Sequence, residues 1–311
     1  VSQLRTSRYA GIDEYVRGTA QPMIDNWQDL KNVTAVSVVP DTNLDNSNIQ
    51  RSTTGEQISI IAAATEKTFF QSIEGGSLND KQSQVAADII HTIVTASSHN
   101  QSNQVFLGCL FGPGGTGKSY TMRKLMDRLH FYNKSLRCSA FTGVACTQLP
   151  HAMTLHSLFD FHRYDKCIEK NTSMSPLLTD VRKRLTVNNK TISLLIIDEI
   201  SMTDAVLLGK AHEILCAAFS VDAGIDPTTQ KLKNPFGGLS ILLVGDMCQI
   251  PPTGGVSLAK ELLDLHSNNR KRRDNQHSER RAMNGLLIFE LCCSKIYILD
   301  ITGCFYIYLR I

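Results

Sequence analysis

The sequence of 311 residues lacks a strong excess of either charge: 32 lysines and arginines stand against 29 aspartates and glutamates, a formal net charge of +3. So small an excess does not require a polyanionic partner, and a nucleic-acid reading has to rest on local features. No apolar run approaches the ~20 residues of a membrane-spanning helix, so no membrane partner is expected. Nine cysteines occur without one C-x-x-C pair, and only Cys292 and Cys293 are adjacent. Paired-thiolate zinc motifs therefore have no basis. The odd cysteine count, with no secretory apolar segment at the start, leads to the expectation of a reduced, intracellular protein, nuclear if the source is eukaryotic. Residues 1–77 are poor in long apolar patterns and carry one tryptophan, Trp27. Within them the polar tract Thr42 to Gly55 is of the kind that loops or stays disordered, and no role is legible there. Residue 1 is Val rather than Met, which suggests part of a longer product.

Against this plain background one stretch stands out. Phe106 to Phe111 is an apolar run that reads as a buried strand; Gly112-Pro113-Gly114-Gly115-Thr116-Gly117-Lys118-Ser119 follows, and then Met122, Leu125, Met126 and Leu129 recur at helical spacing. Strand, glycine-rich turn and helix in that order are the context in which G-x-x-x-x-G-K-[ST] binds phosphate. Glycines at 112, 114, 115 and 117 are expected to adopt backbone conformations closed to residues with a Cβ, so that successive N–H groups converge on one anion. Lys118, at the positive end of the helix, would reach the terminal phosphates of a nucleoside triphosphate, and Ser119 would offer its hydroxyl to Mg²⁺.

Around this unit the chain alternates strands and helices. Asn79 or Asp80 is placed to cap a helix carrying Val85, Ala86, Ile89, Ile90, Ile93 and Val94. Leu136 to Phe141 reads as the next strand, followed by a second strand-to-helix turn at Thr142-Gly143. Ile192 to Ile197 is a continuous apolar run ending in Asp198-Glu199, and Leu239 to Val244 another ending in Gly245-Asp246. Runs of this kind suit central strands covered on both faces. Ala205 to Phe219 is helical by spacing, with His212 expected in the core, and Lys295 to Leu299 forms a last strand. Lys166 to Asn189 reads as irregular surface structure. The basic run Asn269 to Arg273, with Arg280 and Arg281, reads as a solvated loop, the alternative being a DNA-backbone contact or a nuclear-import signal. Four strands alternating with helices predict an α/β fold, a P-loop NTPase with a doubly wound parallel sheet flanked by helices, whose ligands sit at the carboxyl edge of the strands.

The remaining chemistry falls on that edge. Asp198 suits a Mg²⁺ contact, and Glu199 beside it could orient or deprotonate a water for attack on a γ-phosphate. Gln249, held between Gly245-Asp246 and Pro251-Pro252, could sense that phosphate. Gln82 could pair with adenine through N7 and the N6 amino group.

Together, Leu78-Asn79-x-x-Gln82, GPGGTGKS, Thr142-Gly143-Val144-Ala145 with Thr154-Leu155-His156-Ser157, Ile197-Asp198-Glu199-Ile200-Ser201-Met202 and Gly245-Asp246-x-x-Gln249-x-Pro251-Pro252 closely resemble the Pif-type DNA helicases of superfamily one. The resemblance covers about residues 78–300 and implies a RecA-like ATPase domain over 78–311, with 1–77 as a separate N-terminal region. It further implies ATP and Mg²⁺ as cofactors, single-stranded DNA and duplex junctions as partners, and 5′-to-3′ unwinding with family roles in recombination, repair and telomere maintenance. Lys118, Glu199 and Gln249 would be catalytic, Gln82 and Gly112 to Ser119 would hold the nucleotide, and Ser119 and Asp198 the metal. Thr142, Thr154 and His156 match positions near the single strand; helix capping accounts equally for the two threonines. The family's motor closes two RecA-like halves on ATP, the second supplying arginines. Asp300 to Ile311 bears no likeness to what leads into that half, so the chain by itself is expected to bind ATP and not to unwind. The alternative is a non-motor ATP- and single-strand-binding module.

Overall fold

Leu194 to Asp198 is buried along its whole length, and so is Ile241 to Gly245. Strands so covered need helices on both sides, and that requirement organises the fold. The computed structural model describes residues 66–71, 78–95 and 105–300, apart from 230, 250, 253, 254 and 268. The tract Thr42 to Gly55 and Trp27 lie outside the described residues. After a short helical stretch at 66–71, the elements are α1 (Asp80–Thr95), β1 (Leu107–Phe111), α2 (Lys118–Phe131), β2 (Leu136–Ala140), α3 (Gly143–Thr147) and β3 (Met153–Thr154). Then follow α4 (Leu155–Phe159), α5 (Phe161–Glu169), α6 (Ser175–Arg184), β4 (Thr186–Val187), β5 (Lys190–Thr191) and β6 (Leu194–Asp198). The chain continues with α7 (Ala205–Phe219), β7 (Ile241–Gly245), α8 (Leu258–His266), α9 (Gln276–Cys293) and β8 (Ile296–Ile298). No helix among the described residues is long and apolar enough to cross a membrane.

The main sheet has six strands in the order β3-β2-β6-β7-β1-β8, and every neighbouring pair is parallel. The strand not expected is β3, two residues long, at one edge; β8 at the other edge is the last strand expected within Lys295 to Leu299. Side-chain alternation divides the core in two. Leu110, Leu194, Ile196, Leu242 and Val244 face α1 and α2, meeting Ile89, Ile93, Met122 and Leu125. Cys109, Leu195, Ile197, Ile241 and Leu243 face the opposite layer, meeting Leu208, Leu215, Leu286 and Phe289 of α7 and α9. This is the doubly wound arrangement. Residues 66–71, on the N-terminal side of 77, join it through fully buried Phe70 and through Glu66, which takes two hydrogen bonds from Arg128 at 2.8 and 2.7 Å.

Two expectations are corrected. Lys166 to Asn189 is not irregular: it holds the end of α5, all of α6 and the β4–β5 hairpin. Leu177, Val181 and Leu185 fall four residues apart and are buried, a helical stripe hidden among the charges around it. The basic run is not a solvated loop, and most of it is not free for DNA. Arg270, 6% exposed, bridges Glu261 and Glu279; Arg273 also binds Glu261; Arg280 and Arg281 both bind Glu213, which accepts a further bond from the Tyr164 hydroxyl. Helices α7, α8 and α9 each present a buried or half-buried glutamate to this connection, and the arginines neutralise them. Only Lys271 and Arg272 of the Asn269 to Arg273 arginines and lysines point outward. The close approach of α7 and α9 sets this network: a Cβ on Gly285 would lie 2.0 Å from the carbonyl oxygen of Ala205, so the two backbones meet where only glycine fits. His212 is fully buried, as expected, with Nδ1 accepting from the Phe236 N–H at 3.1 Å and Nε2 3.1 Å from the Ala223 carbonyl.

Candidate nucleotide site

The glycine-rich turn leaves β1 at the carboxyl edge and enters α2. Of its four glycines, Gly115 and Gly117 adopt positive φ, 82° and 85°. The other two do not, which narrows the expectation that all four need glycine for conformation. Gly112 is instead required by closeness, since a Cβ there would fall 2.5 Å from the Leu299 carbonyl oxygen, whereas Gly114 faces open space. Buried Thr116 closes the turn on itself, its hydroxyl donating to the Pro113 carbonyl at 2.9 Å. The Lys118 ammonium lies inside the loop and donates to the Gly112 and Pro113 carbonyls at 2.6 and 3.0 Å. Burial lowers its pKa, and the charges of Asp246, Asp198 and Glu199 act against that. Ser119 follows on the first turn of α2, half-buried.

That triad of acids comes from the strand order. β7 sits between β1 and β6, so Asp246 at its end stands between the loop and Asp198. Asp198 is 7% exposed, and burial pushes its pKa up to about 6, although one oxygen accepts from the Glu199 N–H at 2.9 Å. Glu199 is half-buried with a φ of 58°, in the left-handed region that residues with a Cβ enter at a cost of about 1–2 kcal/mol. Residues held in so sparsely populated a conformation cluster at functional sites. Asp246, placed in a motif but given no role from sequence, accepts from the Cys248 N–H at 3.0 Å and starts the turn that carries Gln249, whose side chain is exposed. Its position beside Lys118 could have been found from the strand ends alone, had the strand order been known.

Gln82 lies behind the loop. It is 8% exposed on the first turn of α1, and its Nε2 donates to the Thr116 carbonyl at 3.1 Å. Thr142 and Thr154 cap α3 and α4: each hydroxyl oxygen accepts a backbone N–H three residues on, at 3.2 Å. His156 is exposed, edge-on to Phe141 and Phe161 with ring centroids 5.7 and 5.4 Å apart. A cavity of about 240 Å³ opens there, bounded by Phe141, His156, Met202, Asp204 and Pro252. It thus joins the turn after Glu199 to the turn after Gln249.

These residues fit a magnesium nucleotide. A lysine held on carbonyls inside the glycine-rich turn, and a carboxylate whose burial makes its charge unfavourable, are both relieved by a triphosphate and a divalent cation. Among the described residues no group of three or more His, Cys, Asp or Glu could hold a metal alone.

Comparison with known proteins finds relatives among DNA helicases. The chain is 30% identical over 148 residues to the ATP-dependent DNA helicase Pif1 of a Psychrobacter species, covering 47% of this chain and 20% of that protein. It is 30% identical over 185 residues to PIF1 of Candida albicans, covering 56% and 18%, and 32% identical over 147 residues to RRM3 of Saccharomyces cerevisiae, covering 45% and 18%. The chain thus spans about a fifth of the length of these curated relatives. Among solved structures, Pif1 helicase from Candida albicans aligns with a TM-score of 0.42 at 21% identity, over 72% of this chain and 40% of that one. Bacteroides Pif1 bound to ssDNA aligns at 0.39 and 24%, over 57% and 33%. The family description PIF1-like helicase matches residues 77–277, the stretch that runs from the Gln82 helix through the phosphate loop and both acidic turns to the start of α9, and the chain belongs to that family.

Proposed function

We propose that this chain is the nucleotide-gripping part of an ATP-dependent DNA helicase. The observation that carries the reading is Lys118 held in the phosphate loop under the influence of Asp246, Asp198 and Glu199 at one carboxyl edge. ATP would supply the phosphoryl group and Mg²⁺ the positive charge that offsets its oxygens. Lys118 exchanges its two carbonyl partners for phosphate oxygens, while the N–H groups around Gly115 and Gly117 hold the same anion. Ser119 and Asp198 provide the metal's protein oxygens. Glu199, beside Asp198 at the end of β6, would orient a water and accept its proton. Gln249, on the exposed turn after β7, reports the state of the site to the surface that carries Thr142, Thr154 and His156. On that surface the single strand would run, with duplex junctions ahead of it.

The finer family properties belong to the whole protein: 5′-to-3′ movement, and roles in recombination, repair and telomere maintenance inside the cell. Titration of the chain with Mg·ATP tests the reading. Lys118→Ala removes a charge-assisted contact of about 1.5–3 kcal/mol and is expected to weaken binding roughly 10- to 100-fold. Unchanged affinity in that variant would overturn the assignment.

A further inference from the structure

Gln82 is tied into the fold by more than its position behind the loop. Asn79 and Gln82 form a reciprocal cap at the start of α1: the Gln82 N–H donates to the Asn79 side-chain oxygen at 2.9 Å, and the Asn79 N–H donates to Gln82 Oε1 at 3.1 Å. This is the capping-box arrangement with asparagine at its first position. The cap fixes the side chain's direction, and its Nε2 then reaches the Thr116 carbonyl at 3.1 Å. Contact continues to the next residue, because a Cβ on Gly117 would lie 2.3 Å from the same Nε2. Gly117 is the left-handed residue immediately before Lys118 and Ser119.

We infer that Gln82 is a positioning residue for the phosphate loop, holding its Thr116–Gly117 end in the conformation that receives phosphate, whether or not a base is bound. An amide has two N–H donors and an oxygen with two lone pairs. One donor is used on Thr116 and one lone pair on Asn79, which leaves one of each. Those are the two groups an amide uses on the N7 and N6 edge of adenine, so clamping the loop and reading the base are compatible on one side chain. Base occupancy then stiffens the same amide that orients the loop. The inference rests on the nucleotide reading above but asks more of it: Gln82 must matter to a ligand that has no base.

Magnesium tripolyphosphate is that ligand, titrated against the full 311-residue chain by calorimetry. Gln82→Met, which keeps length and loses both hydrogen-bonding atoms, is expected to bind it roughly 3- to 10-fold more weakly, as loss of one hydrogen bond to the loop implies. Asn79→Ala, which removes its half of the cap and leaves the amide facing Thr116, is expected to change tripolyphosphate affinity less than 2-fold, on the order of a helix-start effect alone. Lys118→Ala is expected to weaken tripolyphosphate binding roughly 10- to 100-fold, and if it does not, the phosphate site itself is misassigned. If Lys118→Ala weakens binding to that extent while Gln82→Met binds tripolyphosphate like the parent and loses only its preference for ATP over GTP, the positioning role is overturned and Gln82 reads the base alone. Equal losses in Asn79→Ala and Gln82→Met would also overturn it, assigning the effect to the helix start. If Gln82→Met does not fold, Gln82→Ala, whose smaller side chain vacates the contact with Gly117, carries the same comparison.

Discussion

Gly114 stands at a free position of the phosphate-loop pattern and Gly117 at a fixed one, and the structure assigns the two very different costs on substitution. Gly117→Ala forces a Cβ into a residue at φ 85°, which costs about 1–2 kcal/mol. The same Cβ would sit 2.3 Å from Gln82 Nε2, so the amide must move. Its bond to Thr116 is then lost, worth about 1 kcal/mol, and its cap on Asn79 is strained by up to about 1 more. The sum is roughly 2–4 kcal/mol. Gly114→Ala meets nothing within 4 Å and has no positive φ to leave. It also restricts the unfolded chain, so its effect should stay within about 1 kcal/mol of zero. The assay is urea unfolding of the nucleotide-free chain. With a slope near 2–3 kcal/mol per molar for a domain of this size, the Gly117→Ala midpoint falls by roughly 1 M and that of Gly114→Ala barely moves. Equal midpoints for the two variants would refute the geometry on which the clamp depends.

Two other outcomes follow from charges. Asp198 has a folded pKa of about 6, above its ordinary 3.8, so its protonated form favours the fold; that contribution is complete below about pH 4 and is lost as pH rises through 6. The unfolding free energy of the metal-free parent, from urea titration, should therefore fall relative to that of Asp198→Asn between pH 4 and 7, by an amount on the order of 3 kcal/mol; parallel profiles would show that Asp198 is not the group responsible. Arg270→Ala removes a buried partner of Glu261 and Glu279, and although Arg273 still contacts both, a loss of about 2–3 kcal/mol is expected in thermal or urea unfolding. Exposed Lys271→Ala should stay within about 0.5 kcal/mol of the parent, and equal effects of the two would mean that the arginine network contributes nothing.

What could be read from sequence was local. Gly112 to Ser119 is legible because lysine and serine after spaced glycines have few other uses, and Ala205–Phe219 because its apolar spacing is uninterrupted and ends where expected. α6 was hidden because Arg182, Lys183 and Arg184 outweigh Leu177 and Val181 in any count of polarity, though not in their spacing. The arginines from 270 to 281 were misread for a related reason: their partners, Glu213, Glu261 and Glu279, come from three helices, and sequence distance says nothing of that convergence. Strand order was equally out of reach. Nothing in Leu239 to Asp246 announces that it runs between β1 and β6, and so nothing announces Asp246 as Lys118's neighbour.

Because every strand of the main sheet points the same way, the turns that enter the strands gather on the edge opposite the nucleotide. Thr228 lies on one of them, exposed, in the segment that leads into β7. The five residues of β7 span about 17 Å, which separates the edge where that strand begins from Asp246 at its other end. That edge is where the molecule can be held to a surface with the phosphate loop left open.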